Sequence, residues 1–293
     1  MDSIKESSQS TTETTTEMTT EMTKEIKSFV LSERENQITF DEPSHTYYID
    51  GKPYYLSASK YLSRTFFDEF EVDAFFARKR LSVQQERDMK KSWAYTRERG
   101  TAIHAFIEDS LLGKNPNREH EFKWAEEFGG MKPNETLKFE DEVIKSGHVM
   151  LDEIKYAFPS PAYSFLGAEY KVFGELPDKN VIPGTIDALF WFGPPENREV
   201  VVVDWKTNKA MHTYEYPVKN ESSPFNGTKR SALEKYFCQL HIYSYLLNTY
   251  YNVKVVKVYI AHFSPEVGRF TLYSAPYEKC LCGLWDNRLT LKN

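Results

Sequence analysis

An α/β fold, in which helices flank a central mixed β-sheet, is predicted by three observations. Residues 200–203 are four successive valines, the composition of a buried central strand. Strand-like runs at 165–174, 184–193 and 198–207 follow one another closely, with the turn-forming "PPEN" between the last two. A long helix-like run at 229–251 then separates them from further strands at 253–264 and 269–275. The order of helix, three strands, helix and strands implies a mixed sheet covered by helices.

The elements follow in chain order. Residues 1–35 begin with a low-complexity Ser/Thr/Glu tail with few apolar side chains to offset ordering entropy, so this segment is expected to be disordered. Residues 36–293 form one expected domain, with an N-terminal extension over 36–99 and the core over 100–293. Within the extension, residues 36–59 alternate and turn at Asp50-Gly51, which predicts a β-hairpin. Residues 57–80 read as helical, capped near Ser57 or Ser59. Residues 100–114 place Ile103, Phe106, Ile107 and Leu111 on one helical face, with Gly113 as the stop. Further helices are expected at 119–128 and 137–157.

Composition limits the possible functions. The chain has 293 residues and a formal net charge of -6, which argues weakly against broad binding of nucleic acid. The charge is uneven, however. Residues 1–27 hold six acids and three lysines, whereas residues 74–100 hold eight basic residues against three acids. Such a basic stretch can serve a polyanion within an acidic protein. Cys238, Cys280 and Cys282 make an odd count without a CxxC pair or a signal-peptide pattern. This predicts an intracellular protein, cytoplasmic or nuclear. The tail is acidic and lacks arginine, unlike a mitochondrial presequence. No apolar run approaches the ~18 residues that span a membrane.

The strand that carries the valines ends in Asp204-Trp205-Lys206. Period-two geometry puts Asp204 and Lys206 on one face. Asp187 ends "PGTID" on the preceding strand, and antiparallel pairing can bring it beside Asp204. Two carboxylates at one point call for a cation, and Mg²⁺ is held by one or two carboxylates plus water and phosphate. A neighbouring lysine can orient water or meet charge that develops on a phosphoryl group. Taken alone, Asp204 and Lys206 could equally be an ion pair at a strand end, and His104 a core histidine.

This pattern resembles the PD-(D/E)XK nucleases, in particular their RecB-like branch. "RGTAIHAFIE" resembles that branch's first motif, with His104 on a helix and Glu108 one turn later. "AEYKVF" resembles its first-strand motif with Glu169, while "PGTIDALF" and "VVVDWKT" supply Asp187, Asp204 and Lys206. "QLHIYSYLL" resembles the last motif, with Gln239 and Tyr243. The likeness covers residues 100–247. The segment upstream of "RGTAIHAFIE" is similar to mitochondrial genome maintenance exonucleases and related viral and phage proteins.

The resemblance implies a restriction-endonuclease-like core and a Mg²⁺- or Mn²⁺-dependent deoxyribonuclease. It implies metal ligation by His104, Asp187, Asp204 and the Trp205 carbonyl, with Lys206 positioning water or stabilising the transition state. Glu169 would position the metal or neutralise Lys206. Glu108 would be an outer partner, a second-metal ligand or a solvated side chain. Gln239 and Tyr243 would contact nucleic acid and support Lys206, with Arg78, Lys79 and Lys209 as further contacts. Phe75, Phe76, Trp93 and Tyr95 interleave with cations, which suits stacking on a single strand, although Phe75 and Phe76 also suit a core. Some relatives hold a 4Fe–4S cluster through four cysteines, so with three none is expected. The implied substrate is single-stranded DNA cut from a free end to leave 5′-phosphate and 3′-hydroxyl ends. A structure-selective endonuclease and a catalytically silent nucleic-acid-binding module are the rival functions.

Overall fold

The computed structural model describes residues 33–116, 128, 133–194, 199–211 and 215–276. A 3-10 turn at Glu33–Gln37 leads into β1 (Ile38–Asp41), β2 (Thr46–Ile49) and β3 (Lys52–Tyr54). Helices α1 (Ala58–Thr65), α2 (Val72–Lys79), α3 (Val83–Leu111) and α4 (Pro133–Ala157) follow. Then come β4 (Tyr163–Glu175), β5 (Val181–Phe192), β6 (Glu199–Lys206) and the short β7 (Tyr216–Pro217) and β8 (Lys229–Arg230). Helix α5 (Ala232–Tyr250), β9 (Lys254–Ser264) and β10 (Arg269–Pro276) complete the described chain.

The central sheet has the order β10-β9-β6-β5-β4. Strands β6 and β9 are parallel and every other neighbouring pair is antiparallel, so the sheet is mixed. The valine run explains why β6 sits at its centre. Val200 and Val202 enter a core shared with α1 and α5, while Val201 and Val203 enter a second core shared with α3 and α4. Alternate side chains of one strand therefore serve both helical layers. All four valines are at most 1% exposed.

Helix α3 begins at a capping box in which the Ser82 hydroxyl and the Gln85 side chain satisfy each other's backbone N–H groups. It runs without a break across residues 99 and 100, so the extension and the core share one helix. Gly147 of α4 lets the two helices touch, since a Cβ there would lie 2.3 Å from the Phe106 ring. Arg99 is 5% exposed and reaches Glu142 on α4 at 3.2 Å and Glu266 beyond β9 at 2.7 Å. This cation of the basic stretch is thus neutralised inside the fold.

Several elements depart from expectation for identifiable reasons. The expected hairpin is a three-stranded meander, β1-β2-β3. Its extra turn forms at 42–45, where the Asp41 carboxylate accepts the Ser44 backbone N–H at 3.0 Å. The single helix expected over 57–80 is two helices. Between them Phe66 and Phe67 are buried against Phe225, and Asp68 accepts the backbone N–H groups of Lys219 and Asn220. Tertiary contacts override helical periodicity there. Helix α4 starts at Pro133 rather than 137. Most of the helix expected at 119–128, most of the "PPEN" turn, Cys280 and Cys282 lie outside the described residues, as does the tail to residue 32. Among the described residues no helix is long and apolar enough to cross a membrane.

Candidate functional site

The site lies at the carboxyl end of β6, where β5 and β6 cease to pair. The register runs Phe192↔Glu199 to Ala188↔Val203 and stops one residue short of Asp187 and Asp204. At that point the Asp187 carboxylate accepts the Trp205 backbone N–H at 2.7 Å. Alternation along β5 also slips here: Ile182 and Ile186 pack in the first core, but Ala188 and Phe190 in the second. Asp187 thus stands at an irregularity, and irregularities of this kind re-aim side chains at sites.

Glu169 on β4 stands across from Asp187, between the registered pairs Ala168↔Ala188 and Tyr170↔Ile186. Its φ is +48°, a left-handed conformation that is uncommon for glutamate and strained inside a strand. Helix α3 brings in His104. Gly100 sits one turn earlier, and a Cβ there would lie 2.8 Å from the Thr207 hydroxyl. Only glycine lets the helix approach the end of β6 so closely. His104 Nδ1 is 3.7 Å from Asp187 Oδ2, and the ring hydrogen-bonds the Trp205 backbone.

One ligand atom each from His104, Glu169 and Asp187 lies within 4.8 Å of the others. The electrostatics suit a cation at this point. Burial and Lys206 lower the His104 pKa to about 4, so its ring is neutral at neutral pH and can act as a ligand. Burial, Asp187 and Glu108 raise Glu169 to about 8, and burial raises Asp187. Crowded carboxylates that resist ionisation, set beside a neutral imidazole, are a donor set for a hard divalent cation.

Asp204 and Lys206 point the same way along β6 and pair with each other. Burial raises Asp204 to about 6. Burial opposes the charge on Lys206, but Asp204 and Asp187 outweigh it and push its pKa up to about 12. The lysine is therefore a fixed cation beside the acid cluster. Asp204 is not one of the three clustered ligands, because its carboxylate is turned to Lys206 and only 5% of the residue is exposed. It is Asp204, not Glu169, that neutralises the lysine.

Helix α5 closes the site from the first-core side. Gln239 Nε2 donates to the Tyr243 hydroxyl at 2.9 Å, and the Tyr243 ring lies against β5 at Gly184. The Tyr236 ring centroid is 4.9 Å from Lys206 Nζ. Tyr236 was not among the expected residues, yet it lies one helical turn before Gln239 and shares its face. Gly184→Ala is expected to destabilise the fold by about 1–3 kcal/mol, the usual range for overpacking, since the new Cβ would fall 2.2 Å from the Tyr243 ring. Urea denaturation of this variant checks it, and Gly184→Ala should cost less in a Tyr243→Ala background than in the wild type, because the clash is then absent.

The remaining expected residues lie further out. Glu108 is on the His104 helix but outside the three-residue cluster, and burial raises its pKa. Lys209 is exposed, while its carbonyl accepts the Ser264 hydroxyl at 2.7 Å and so pins the loop after β6 to β9. Arg78 and Lys79 are exposed on α2. Nearby, Phe76 is buried and stacks on Trp93 with centroids 5.4 Å apart. Trp93 precedes His104 by roughly 16 Å along α3, so this aromatic and basic patch does not belong to the acid cluster.

No family model matches the chain, and no curated protein matches it. Among solved structures, one described as "Putative exonuclease" from Eubacterium rectale is 12% identical with a TM-score of 0.40. The match covers 66% of this chain and 65% of that one, so it spans just under two thirds of the neighbour's length. A second, named SSO0001, is 14% identical with a TM-score of 0.27 over 66% of this chain and 85% of that one. Likenesses of this size assign neither a fold family nor an activity.

Proposed function

We propose that the chain is a divalent-metal-dependent deoxyribonuclease with a site of the PD-(D/E)XK kind, and that it degrades single-stranded DNA from a free end. The observation that carries this is the His104, Glu169 and Asp187 cluster set against the Asp204–Lys206 pair where β5 and β6 part. An ordinary ion pair at a strand end has no need of a further neutral imidazole and two further carboxylates beside it.

His104, Glu169 and Asp187 would hold Mg²⁺ or Mn²⁺. When bound, such an ion polarises a phosphoryl oxygen and eases deprotonation of the attacking water. The chain's own groups do the rest. Lys206, held cationic by Asp204, faces the negative charge that builds on the phosphate oxygens during displacement. The Trp205 N–H fixes the Asp187 carboxylate, and the hydrogen bond from Gln239 orients the Tyr243 hydroxyl on the α5 wall. The exposed Arg78 and Lys79 suit contact with DNA phosphates away from the reacting one. The products would carry 5′-phosphate and 3′-hydroxyl ends.

The test is a digestion series with Mg²⁺, with Mn²⁺ and with EDTA on linear single strands, blunt duplexes and circular single strands. Metal-dependent loss of the linear single strand, with the circle left intact, is the expected result. Rapid cutting of the circle would favour the endonuclease instead, and no cutting of any substrate would favour a silent binding module.

A further inference from the structure

A pocket of about 410 Å³ opens beside this site between α1 and the first turns of α5. Ser59, Lys60 and Ser63 line one wall, while Lys235, Tyr236 and Gln239 line the other. Lys235 Nζ donates to the Ser63 hydroxyl at 2.7 Å, and its ammonium lies 5.7 Å from the Phe67 ring centroid. Among the described residues, no carboxylate oxygen lies within 4.0 Å of the Lys60 or Lys235 ammonium. Glu69 also lines the pocket: it faces Arg64 at 3.3 Å, and its charge and that of Asp68, which accepts two backbone N–H groups, favour the Lys235 ammonium from further away. The pocket thus offers two half-buried ammonium groups with no carboxylate in direct contact, together with the Ser59 hydroxyl.

Its walls are fixed. Asn220 donates to the carbonyls of Arg64 and Phe67, and the Ser223 hydroxyl donates to that of Phe66. These bonds tie the end of α1 to the segment that leads into α5. Tyr236 joins the pocket to the site, since the same ring lines the pocket and lies beside Lys206.

We propose that this pocket is a phosphate subsite for the strand being cut, in which Lys60, Lys235 and the Ser59 hydroxyl hold a phosphate group next along from the one at Lys206, with Ser63 positioning Lys235. This rests on the nuclease function proposed above and names how its substrate is held. Cations with hydroxyl donors match phosphate oxygens, and an aromatic ring between two phosphate positions offers a face for the intervening base. The same chemistry would accept a phosphodiester within the strand or a monoester at its end.

The experiment measures binding of a short labelled single strand by the full chain in Ca²⁺, together with cleavage in Mg²⁺. The proteins are the wild type, Lys235→Ala, Lys235→Arg, Lys60→Ala and Asp187→Asn. Lys235→Ala is expected to weaken binding about tenfold, and to reduce the slope of log affinity against log salt by about one contact's worth. Turnover at saturating strand is retained and Lys235→Arg recovers part of the affinity. Lys60→Ala, on the opposite wall from Lys235, is the second variant, and thermal melts of both guard against a folding artefact. Strands with a 5′-phosphate, with a 3′-phosphate or with neither separate the two sources: if removing one terminal phosphate weakens only wild-type binding, the subsite holds an end; if neither terminus matters but Lys235 does, it holds an internal phosphodiester. Unchanged affinity and salt slope in both Lys235→Ala and Lys60→Ala overturn the subsite, even if Asp187→Asn abolishes cleavage and so upholds the nuclease. Lys235-dependent binding without cleavage by the wild type upholds the subsite and overturns the nuclease.

Discussion

Lys206→Met is expected to lower the rate of DNA cleavage about a thousandfold, equivalent to ~4 kcal/mol of barrier. The lysine is the cation fixed at the reacting end of β6, with a pKa pushed up to about 12. Removing it has a second effect. Asp204, 5% exposed, would lose the ammonium that compensates its charge. A buried carboxylate without its partner destabilises a fold by about 3–5 kcal/mol, or takes up a proton instead. A fall in activity from Lys206→Met alone could therefore reflect lost chemistry or a loosened strand end. The double variant Asp204→Asn with Lys206→Met separates the two, because it leaves no uncompensated charge. It should unfold nearer the wild-type temperature than the single variant does, yet stay as inactive. Single-turnover rates beside thermal melts provide the measurement. Near-wild-type cleavage by a folded Lys206→Met protein would remove the lysine from the mechanism.

The sheet was legible because β6 announces itself: four valines cannot sit at a water-facing edge, and their alternation into two cores follows from strand geometry alone. The pairing of Asp204 with Lys206 was legible for the same reason, since residues two apart on a strand share a face. The break between α1 and α2 was not. Phe66 and Phe67 continue a helical pattern, and only their burial against Phe225, more than 150 positions away, ends the helix. Which carboxylates cluster was also hidden. Spacing places Asp204 as near to Asp187 as Glu169 is, and the choice is made by Lys206 taking Asp204, and by the left-handed backbone at Glu169. Gly100 carried a readable signal, however. A glycine inside an amphipathic helix costs stability, and it is kept where another chain segment passes close, here at Thr207.

Divalent-metal affinity is expected to rise on the order of fiftyfold from pH 6 to pH 8, because the ion must displace the proton that Glu169 holds up to about pH 8. The sign follows from the direction of the shift. Glu169 moves from an ordinary 4.5 to about 8 in the folded chain, so the folded state binds more protons than the unfolded one between those values. Without metal, stability must therefore fall as pH rises through this window. Asp204, raised to about 6, adds to the fall over the lower half. His104 works the other way. Its pKa drops from 6.5 to about 4, so it stabilises above 6.5 and loses that contribution as pH falls. The two trends oppose one another below pH 6.5, and above it Glu169 dominates. The clean window is thus pH 6.5–8, where the melting temperature of the metal-free protein should decline and the increment from added Mn²⁺ should grow. Isothermal titration with Mn²⁺ at several pH values, beside melts with and without the ion, reads both effects. Glu169→Gln has no proton to displace, so its weaker binding should vary little over the same range. A Glu169→Gln profile as steep as that of the wild type would show that another group carries the proton, and that Glu169 lies outside the metal's reach.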